Sequence, residues 1–190
     1  MVEDAATHWD HRFATAPEDW FRTPRSFLLD HLELLPRQGL ALDAAMGTGQ
    51  NAALLIEHGL QVVGIDISRV GVVKARKRAP QIMAVVADLE HFVLPSQHFD
   101  VILNLYYLQR DLFPQYKKAL KPGGLLIFET LTQEMRLLKP DLRADFLLAP
   151  GELRQAFASW EILVYREGWI KSDHGHNKAV ASLIARRPPV

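Results

Sequence analysis

The stretch LALDAAMGTGQNAALLIEHGLQVVGIDIS, residues 40–68, decides the fold. The apolar run Leu40 to Ala45 ends in the turn Met46-Gly47-Thr48-Gly49, and residues Asn51 to Glu57 then have helical composition. Gly59 is a stop for that helix, because glycine takes up the left-handed conformation that closes a helix at little steric cost. Gln61 to Ile67 is rich in β-branched residues and forms a second strand that ends on the carboxylate of Asp66. A strand, a glycine turn, a helix and a second strand in this order make one parallel βαβ unit.

The same alternation continues along the chain. Ser68 is an N-cap for a helix through Arg78, whose last turn carries Arg76, Lys77 and Arg78 where cations offset the helix dipole, and Pro80 closes it. Ile82 to Ala87 reads as a third strand running to Asp88, and Phe99 to Leu105 as a fourth. A helix from about Asp111 to Leu120 follows. Lys121-Pro122-Gly123-Gly124 then reverses the chain into a fifth strand, Leu125 to Thr130. Glu161 to Tyr165 and Ala179 to Ala185 look like an antiparallel pair added at the sheet edge. The fold expected is therefore α/β: a doubly wound, Rossmann-like, seven-stranded and mostly parallel sheet with an antiparallel C-terminal pair and helices on both faces.

Composition sets the outer bounds. The 190 residues, 48% of them hydrophobic, suit a single domain: a helical cover over 1–38, a core over 39–130, a lid-like insertion over 131–150 and a C-terminal helix with strands over 151–190. Phe27, Leu28, His31, Leu32 and Leu35 are spaced as one apolar helical face within the cover. The 22 basic residues equal the 22 acidic ones, which speaks against a nucleic-acid partner, since that affinity rests on clustered positive charge. The absence of cysteine excludes disulfides, thiolate nucleophiles and Cys-based metal sites. No apolar run approaches membrane-spanning length, so a cytoplasmic protein with no membrane partner, monomeric or homodimeric, is expected.

Three carboxylates fall at successive strand ends. In the glycine turn after Asp43, Gly47 and Gly49 let the backbone approach a ligand at the first switch point, and the small Ala45 avoids crowding it. Asp66, about 20 residues further on, is placed to accept from both hydroxyls of a ribose. Asp88 can accept from an exocyclic amine, with Ile67 and Leu89 offering apolar faces to a base. Together these residues describe an adenosine site. Two other classes share some of these features: an NAD-dependent oxidoreductase and a nucleoside-binding regulatory module without turnover. For the oxidoreductase, Ala52 stands where the third glycine of G-x-G-x-x-G belongs, and neither Asp88 nor the antiparallel pair has a place.

The segments D-A-A-M-G-T-G-Q-N, V-G-I-D-I-S, V-V-A-D-L-E, F-D-V-I-L-N and L-K-P-G-G-L-L-I-F-E-T, in this order and spacing, resemble the class I S-adenosylmethionine-dependent methyltransferases over roughly residues 38–187. Within that superfamily, P-G-E-L-R-Q-A-F-x-x-W at Pro150 to Trp160 is similar to the small tellurite-resistance-type enzymes. The resemblance implies S-adenosyl-L-methionine as cofactor. Asp43, Ala45, Gly47 and Gly49 would surround its methionine part, Asp66 would hold the ribose, and Asp88 and Leu89 would meet the adenine. Asn104 and Leu105 would flank the sulfonium. It further implies direct in-line transfer, which requires no triad and no metal, to a small-molecule acceptor such as a thiol or a chalcogen oxyanion like tellurite.

On the acceptor side, Tyr106 is the candidate to wall the methyl group, and Arg110 or Arg25 to hold an anionic acceptor by bidentate donation. Tyr107, Glu129 and the N-terminal His8, Trp9, Arg12, Phe13 and Trp20 complete the candidates. Asn104-Leu105-Tyr106-Tyr107 stands where an Asn-Pro-Pro-Tyr-type turn would favour a planar nitrogen acceptor. His174 and His176, with Asp173 beside them, make a poor metal pair and read as a loop between the last two strands, where either imidazole is in reach of a base role.

Overall fold

The computed structural model describes residues 4–172 and 175–189. Seven strands form one sheet: β1 (Leu40–Ala44), β2 (Gln61–Asp66), β3 (Met83–Val86), β4 (Phe99–Leu105), β5 (Leu120–Leu131), β6 (Glu161–Lys171) and β7 (Asn177–Arg186). Their spatial order is β3-β2-β1-β4-β5-β7-β6. The first five pair in parallel, and β7 runs antiparallel between β5 and β6. The expected fold class is thus the one observed.

The helices are α1 (Ala5–Thr15), α2 (Ser26–Leu29), α3 (Gln50–His58), α4 (Arg69–Arg78), α5 (Leu112–Ala119) and α6 (Glu152–Ala156). One apolar cluster on the sheet gathers Leu42, Ile102, Phe128 and Leu183 with Phe113, Tyr116, Leu153 and Phe157 from α5, α6 and the turn after it. The cluster built on Ala41, Val62, Val101 and Ile127 takes Phe27, Leu28, Leu55 and Val72 from α2, α3 and α4. Near-continuous apolar strands are what burial on both faces demands.

Local signals hold where the chemistry is strong. Ser68 Oγ accepts from Gly71 N–H at 2.9 Å as the cap of α4, and Gly59 ends α3 with φ +114°. Other boundaries move. Lys121 to Gly124 lies inside β5 rather than before it, as an irregular stretch in which Gly123 N–H donates to the Arg187 carbonyl and Arg187 N–H to that of Gly124. Pairing with β7 therefore reaches past the reversal expected there. β6 and β7 are also longer than anticipated, because the alternation of exposed and half-buried residues along β6 is that of an edge strand and not of a loop.

The apolar face from Phe27 to Leu35 does reach the core, but over the single turn of α2 and a 3-10 turn at Leu32–Leu34 instead of one helix. Within 131–150, Leu147 and Leu148 are fully buried, and Thr132 bridges Leu148 in parallel. Its central part instead carries the exposed Leu137, Leu138 and Phe146.

Candidate functional site

The site is built where the sheet changes winding direction, between β1 and β4, whose ends are register partners at Ala44 and Asn104. Backbone strain collects there. Ala45 has φ 56° and Tyr106 φ 60°, both left-handed without being glycine, and Gly47 and Gly49 follow at 58° and 76°. Each non-glycine instance costs about 1–3 kcal/mol, a cost sustained at functional turns. Asn104 fixes the β4 side: its Oδ1 accepts from the fully buried Tyr116 hydroxyl at 2.8 Å and its Nδ2 donates to the Tyr107 carbonyl at 2.7 Å. These two bonds fix the orientation of the Asn104 side chain at the end of β4. Leu105 is buried in the α3-side cluster.

The carboxylates differ sharply in their partners. Asp66 Oδ2 accepts from Gly47 N–H at 2.7 Å and Oδ1 from Ser68 N–H at 2.8 Å, so one side chain ties the glycine loop to the end of β2. A carboxylate has about four acceptor positions, which leaves room for two hydroxyls. Burial, partly offset by these two amides, pushes the Asp66 pKa up. Asp43 is more isolated. It is 1% exposed, its Oδ2 has no hydrogen-bond partner, and burial followed by the charge of Asp66 raises its pKa to about 8. A buried oxygen left unsatisfied asks for a donor, and a cationic one above all.

Asp88 is half-buried at the end of β3 and accepts from Glu90 N–H at 2.9 Å. Ile67 is half-buried, whereas Leu89 is buried with Ile65 and Leu94. The side-chain polar atoms of Asp88, Glu90 and His91 lie within 4.8 Å of one another, with Glu90 and His91 exposed and Asp88 half-buried.

Two candidates have other surroundings than expected. Tyr107 is half-buried, and burial first, then the charges of Glu90, Asp88 and Asp66, push its phenol up to about 12. Arg110 is committed to protein. Its Nε and Nη2 make a bidentate pair with Glu152 at 2.6 and 2.9 Å, and its Nη1 and Nη2 donate to the Asp145 and Leu147 carbonyls. The physical reason is that Glu152 also caps its own turn by accepting from Ala149 N–H, so the two side chains clamp residues 145–152 onto the start of α5. Arg110→Ala is expected to cost about 1–2 kcal/mol, seen as a lower Tm and faster proteolysis within 136–146, with cofactor affinity unchanged. Unchanged Tm with lost acceptor turnover would return Arg110 to the acceptor.

The N-terminal cover supplies a residue that nothing in its sequence context marked. Asp10 Oδ1 accepts from Ser68 Oγ at 2.5 Å and from Val70 N–H at 3.0 Å, bonds that hold its carboxyl below the usual carboxylate range. Helix α1 is thereby docked on the N-terminus of α4 next to Asp66, and Phe13 stands so close to Gly47 that a Cβ there would meet its ring at 3.2 Å. His176 is exposed, with its N–H donating to Ser172 Oγ at 3.2 Å, while Asp173 and His174 lie outside the described residues.

Residues 41–124 match the family described as a methyltransferase domain. That match takes in the glycine turn and the strands from β1 to the start of β5, and over these residues the chain resembles a methyltransferase domain. Its sequence is 38% identical over 97 residues to a malonyl-[acyl-carrier protein] O-methyltransferase of Herminiimonas arsenicoxydans, covering 48% of this chain and 36% of that protein. The chain thus spans about a third of that relative's length. Among solved structures, a SAM-dependent methyltransferase from Methanosarcina mazei superposes with TM-score 0.70 at 16% identity, covering 88% of this chain and 100% of that one. TehB from Haemophilus influenzae gives TM-score 0.69 at 19% identity, covering 94% and 67%.

S-adenosyl-L-methionine is the cofactor that this resemblance implies, and the residues present fit it. The chain offers an unpartnered buried acceptor at Asp43, a loop bent left-handed at Ala45, Gly47 and Gly49, and a carboxylate at Asp66 with acceptor capacity to spare. No helix among the described residues is long and apolar enough to cross a membrane.

Proposed function

We propose that this chain transfers a methyl group from S-adenosyl-L-methionine to a small-molecule acceptor. The observation that carries this reading is the unpartnered Asp43 oxygen beneath a left-handed loop whose Gly47 N–H is already held by Asp66. When bound, the cofactor supplies a methyl group activated by a positively charged sulfur. Asp43 with Ala45, Gly47 and Gly49 binds the methionine part, Asp66 beside Ile67 the ribose, and Asp88 with Leu89 the adenine. The backbone of Asn104 and Leu105 borders the sulfonium, and Tyr106 walls the methyl group. Arg110 acts only by positioning the 145–152 segment. The work of these residues is orientation and exclusion of water, which can supply a large part of the barrier reduction.

A small acceptor is favoured by the Asn104-Leu105-Tyr106-Tyr107 segment, which stands in place of the turn that would suit a planar nitrogen of a nucleobase or amide. An oxygen nucleophile is supported by the likeness to the Herminiimonas relative, an O-methyltransferase. A thiol or a chalcogen oxyanion such as tellurite is the second reading. Incubating cell extract with methyl-labelled donor and the protein, then following the label by mass spectrometry, is expected to reveal a labelled small molecule; label in protein or nucleic acid would contradict the proposal.

Asp43 gives a pH test. With a folded-state pKa of about 8 against an ordinary value of 3.8, the native chain binds more protons here than the unfolded one across that interval. The contribution of this group to stability therefore falls as pH rises through that window, and Asp43→Asn is expected to flatten the slope. A cationic amino group beside it favours the carboxylate form, so cofactor binding below pH 8 releases a proton. Titrations with S-adenosylhomocysteine in buffers of different ionisation heat are expected to report that release in the wild type and lose it in Asp43→Asn. Equal release in both proteins would remove Asp43 from the methionine subsite.

A further inference from the structure

Helix α4 holds the N-terminal cover at three points along its length. At its start, Ser68 Oγ and Val70 N–H both donate to Asp10 Oδ1. At its middle, Lys74 Nζ donates to the Phe13 carbonyl. At its end, the Arg78 guanidinium donates to the Phe21 carbonyl at 2.7 Å and the Arg22 carbonyl at 2.8 Å, and its Nε to the Thr48 carbonyl of the glycine loop at 3.1 Å. Residues 10–22 thus form a strap tied to α4.

The strap meets the glycine loop at Phe13. That ring is 4% exposed, stacks on Trp9 at 5.4 Å and meets Phe21 edge-on at 5.1 Å. A Cβ on Gly71 would stand 3.0 Å from the Phe13 ring and 2.9 Å from the Gly47 carbonyl oxygen. Glycine is a poor helix residue, and at position 71 its missing side chain is what lets loop, helix and ring come together. The hold on α1 is polar more than apolar, because among the described residues of that helix Phe13 alone is buried. A helix of 11 residues is marginal on its own in water, so α1 persists only while it is docked.

Ser68 joins this strap to the nucleoside side of the site. Fully buried, it donates its N–H to Asp66 Oδ1 at 2.8 Å and its hydroxyl to Asp10 Oδ1 at 2.5 Å, while its oxygen accepts from Gly71 N–H at 2.9 Å. One residue therefore serves both carboxylates. Asp66 in turn holds Gly47 N–H, and Gly47 lies against Phe13, so the contacts run from Asp10 through Ser68, Asp66, Gly47 and Phe13 and return along α1 to Asp10. A closed chain of contacts makes the docking of α1 and the set of the glycine loop one cooperative unit.

We propose that Asp10 is a positioning residue for the cofactor: by latching α1 onto Ser68 it sets Asp66 and the glycine loop for S-adenosyl-L-methionine, and undocking of the strap speeds the departure of S-adenosylhomocysteine. This rests on the methyltransferase reading. Coupling of this kind is reciprocal, so whatever factor the docked strap adds to cofactor affinity, the cofactor adds to docking of the strap. The strap opens as a local unit while the sheet stays folded.

The test is hydrogen exchange of the α1 amides in the full chain, with and without S-adenosylhomocysteine, beside stopped-flow release of that ligand. In the wild type, saturating ligand is expected to slow α1 exchange about ten-fold, the factor that one hydrogen bond to a charged group is worth. Asp10→Ala is expected to exchange α1 fast in both conditions and, with a cooperative melt retained, to bind the ligand about ten-fold more weakly through faster release. Asp10→Asn keeps a side-chain oxygen for both donors and is expected to recover most of the affinity, whereas His11→Ala, at an exposed neighbour on the same helix, leaves it unchanged. A latch that only stabilised the fold would lower Tm and leave α1 exchange indifferent to the ligand, and that result overturns the proposal. Wild-type affinity in Asp10→Ala overturns it too, as does an equal loss in His11→Ala, which would trace the effect to α1 in general. Should Asp10→Ala not fold, the wild-type comparison decides: bound ligand that does not slow α1 exchange overturns the coupling. Failure of the wild type to bind S-adenosylhomocysteine is a separate result, which removes the methyltransferase reading and this proposal with it.

Discussion

Asp66→Ala is expected to lower affinity for S-adenosylhomocysteine by about 100-fold, roughly 3 kcal/mol, close to what two hydrogen bonds to a charged acceptor contribute. The loss has two sources. The ribose hydroxyls lose their acceptor, and Gly47 N–H and Ser68 N–H, held at 2.7 and 2.8 Å, lose theirs, so the glycine loop is no longer tied to the end of β2. Asp66→Asn separates the two: its remaining oxygen can keep one amide while the charge is gone. An intermediate loss for asparagine, with Tm near the wild type, supports the ribose role. Wild-type affinity in a folded Asp66→Ala protein would remove Asp66 from the site.

Gly59→Ala is expected to cause the largest loss of stability among single methyl additions. Gly59 closes α3 with φ +114°, its N–H bonded back to the carbonyls of Ile56 and Leu55, and a Cβ there would stand 2.3 Å from the Arg37 carbonyl oxygen. Left-handed strain and overlap with backbone that has no rotamer to yield together cost about 4 kcal/mol, or about 10 °C in Tm for a chain of this size. Gly123→Ala is the control. It also has positive φ, at 77°, but nothing lies within 4 Å of the added methyl, so about 1 kcal/mol is expected. Similar losses for both would mean that conformation and not overlap sets the cost at Gly59.

The contrast between these glycines also marks what could be read from the chain alone. The strand-turn-helix at 40–58 was legible because its glycines, its apolar run and its following carboxylate each restrict the backbone locally. The placement of Asp43, Asp66 and Asp88 at or just beyond successive strands was legible for a related reason: a parallel sheet sets successive strand ends along one edge. Asp10 was not, because its bonds to Ser68 and Val70 span about 60 positions and its own helix presents an ordinary polar pattern. Lys178 was hidden similarly, since nothing in the alternation along β7 tells that its ammonium meets Tyr106. The pairing of Arg110 with Glu152 was equally hidden, because an arginine after the fourth strand suits an acceptor as well until that carboxylate is seen beside it. Long-range polar pairing, unlike apolar periodicity, leaves no local imprint on sequence.

The oxidoreductase alternative meets the sheet order directly. A strand running antiparallel between the fifth strand and the edge stands where the doubly wound dinucleotide fold continues in parallel, and Ala52 replaces the third glycine of the dinucleotide turn. Isothermal titration of the wild-type chain with S-adenosylhomocysteine, run beside NADH, therefore bears most directly on the central claim. Saturable one-to-one binding of S-adenosylhomocysteine with no heat from NADH is the expected result; a folded chain that binds NADH, or that gives no heat with S-adenosylhomocysteine, would contradict it.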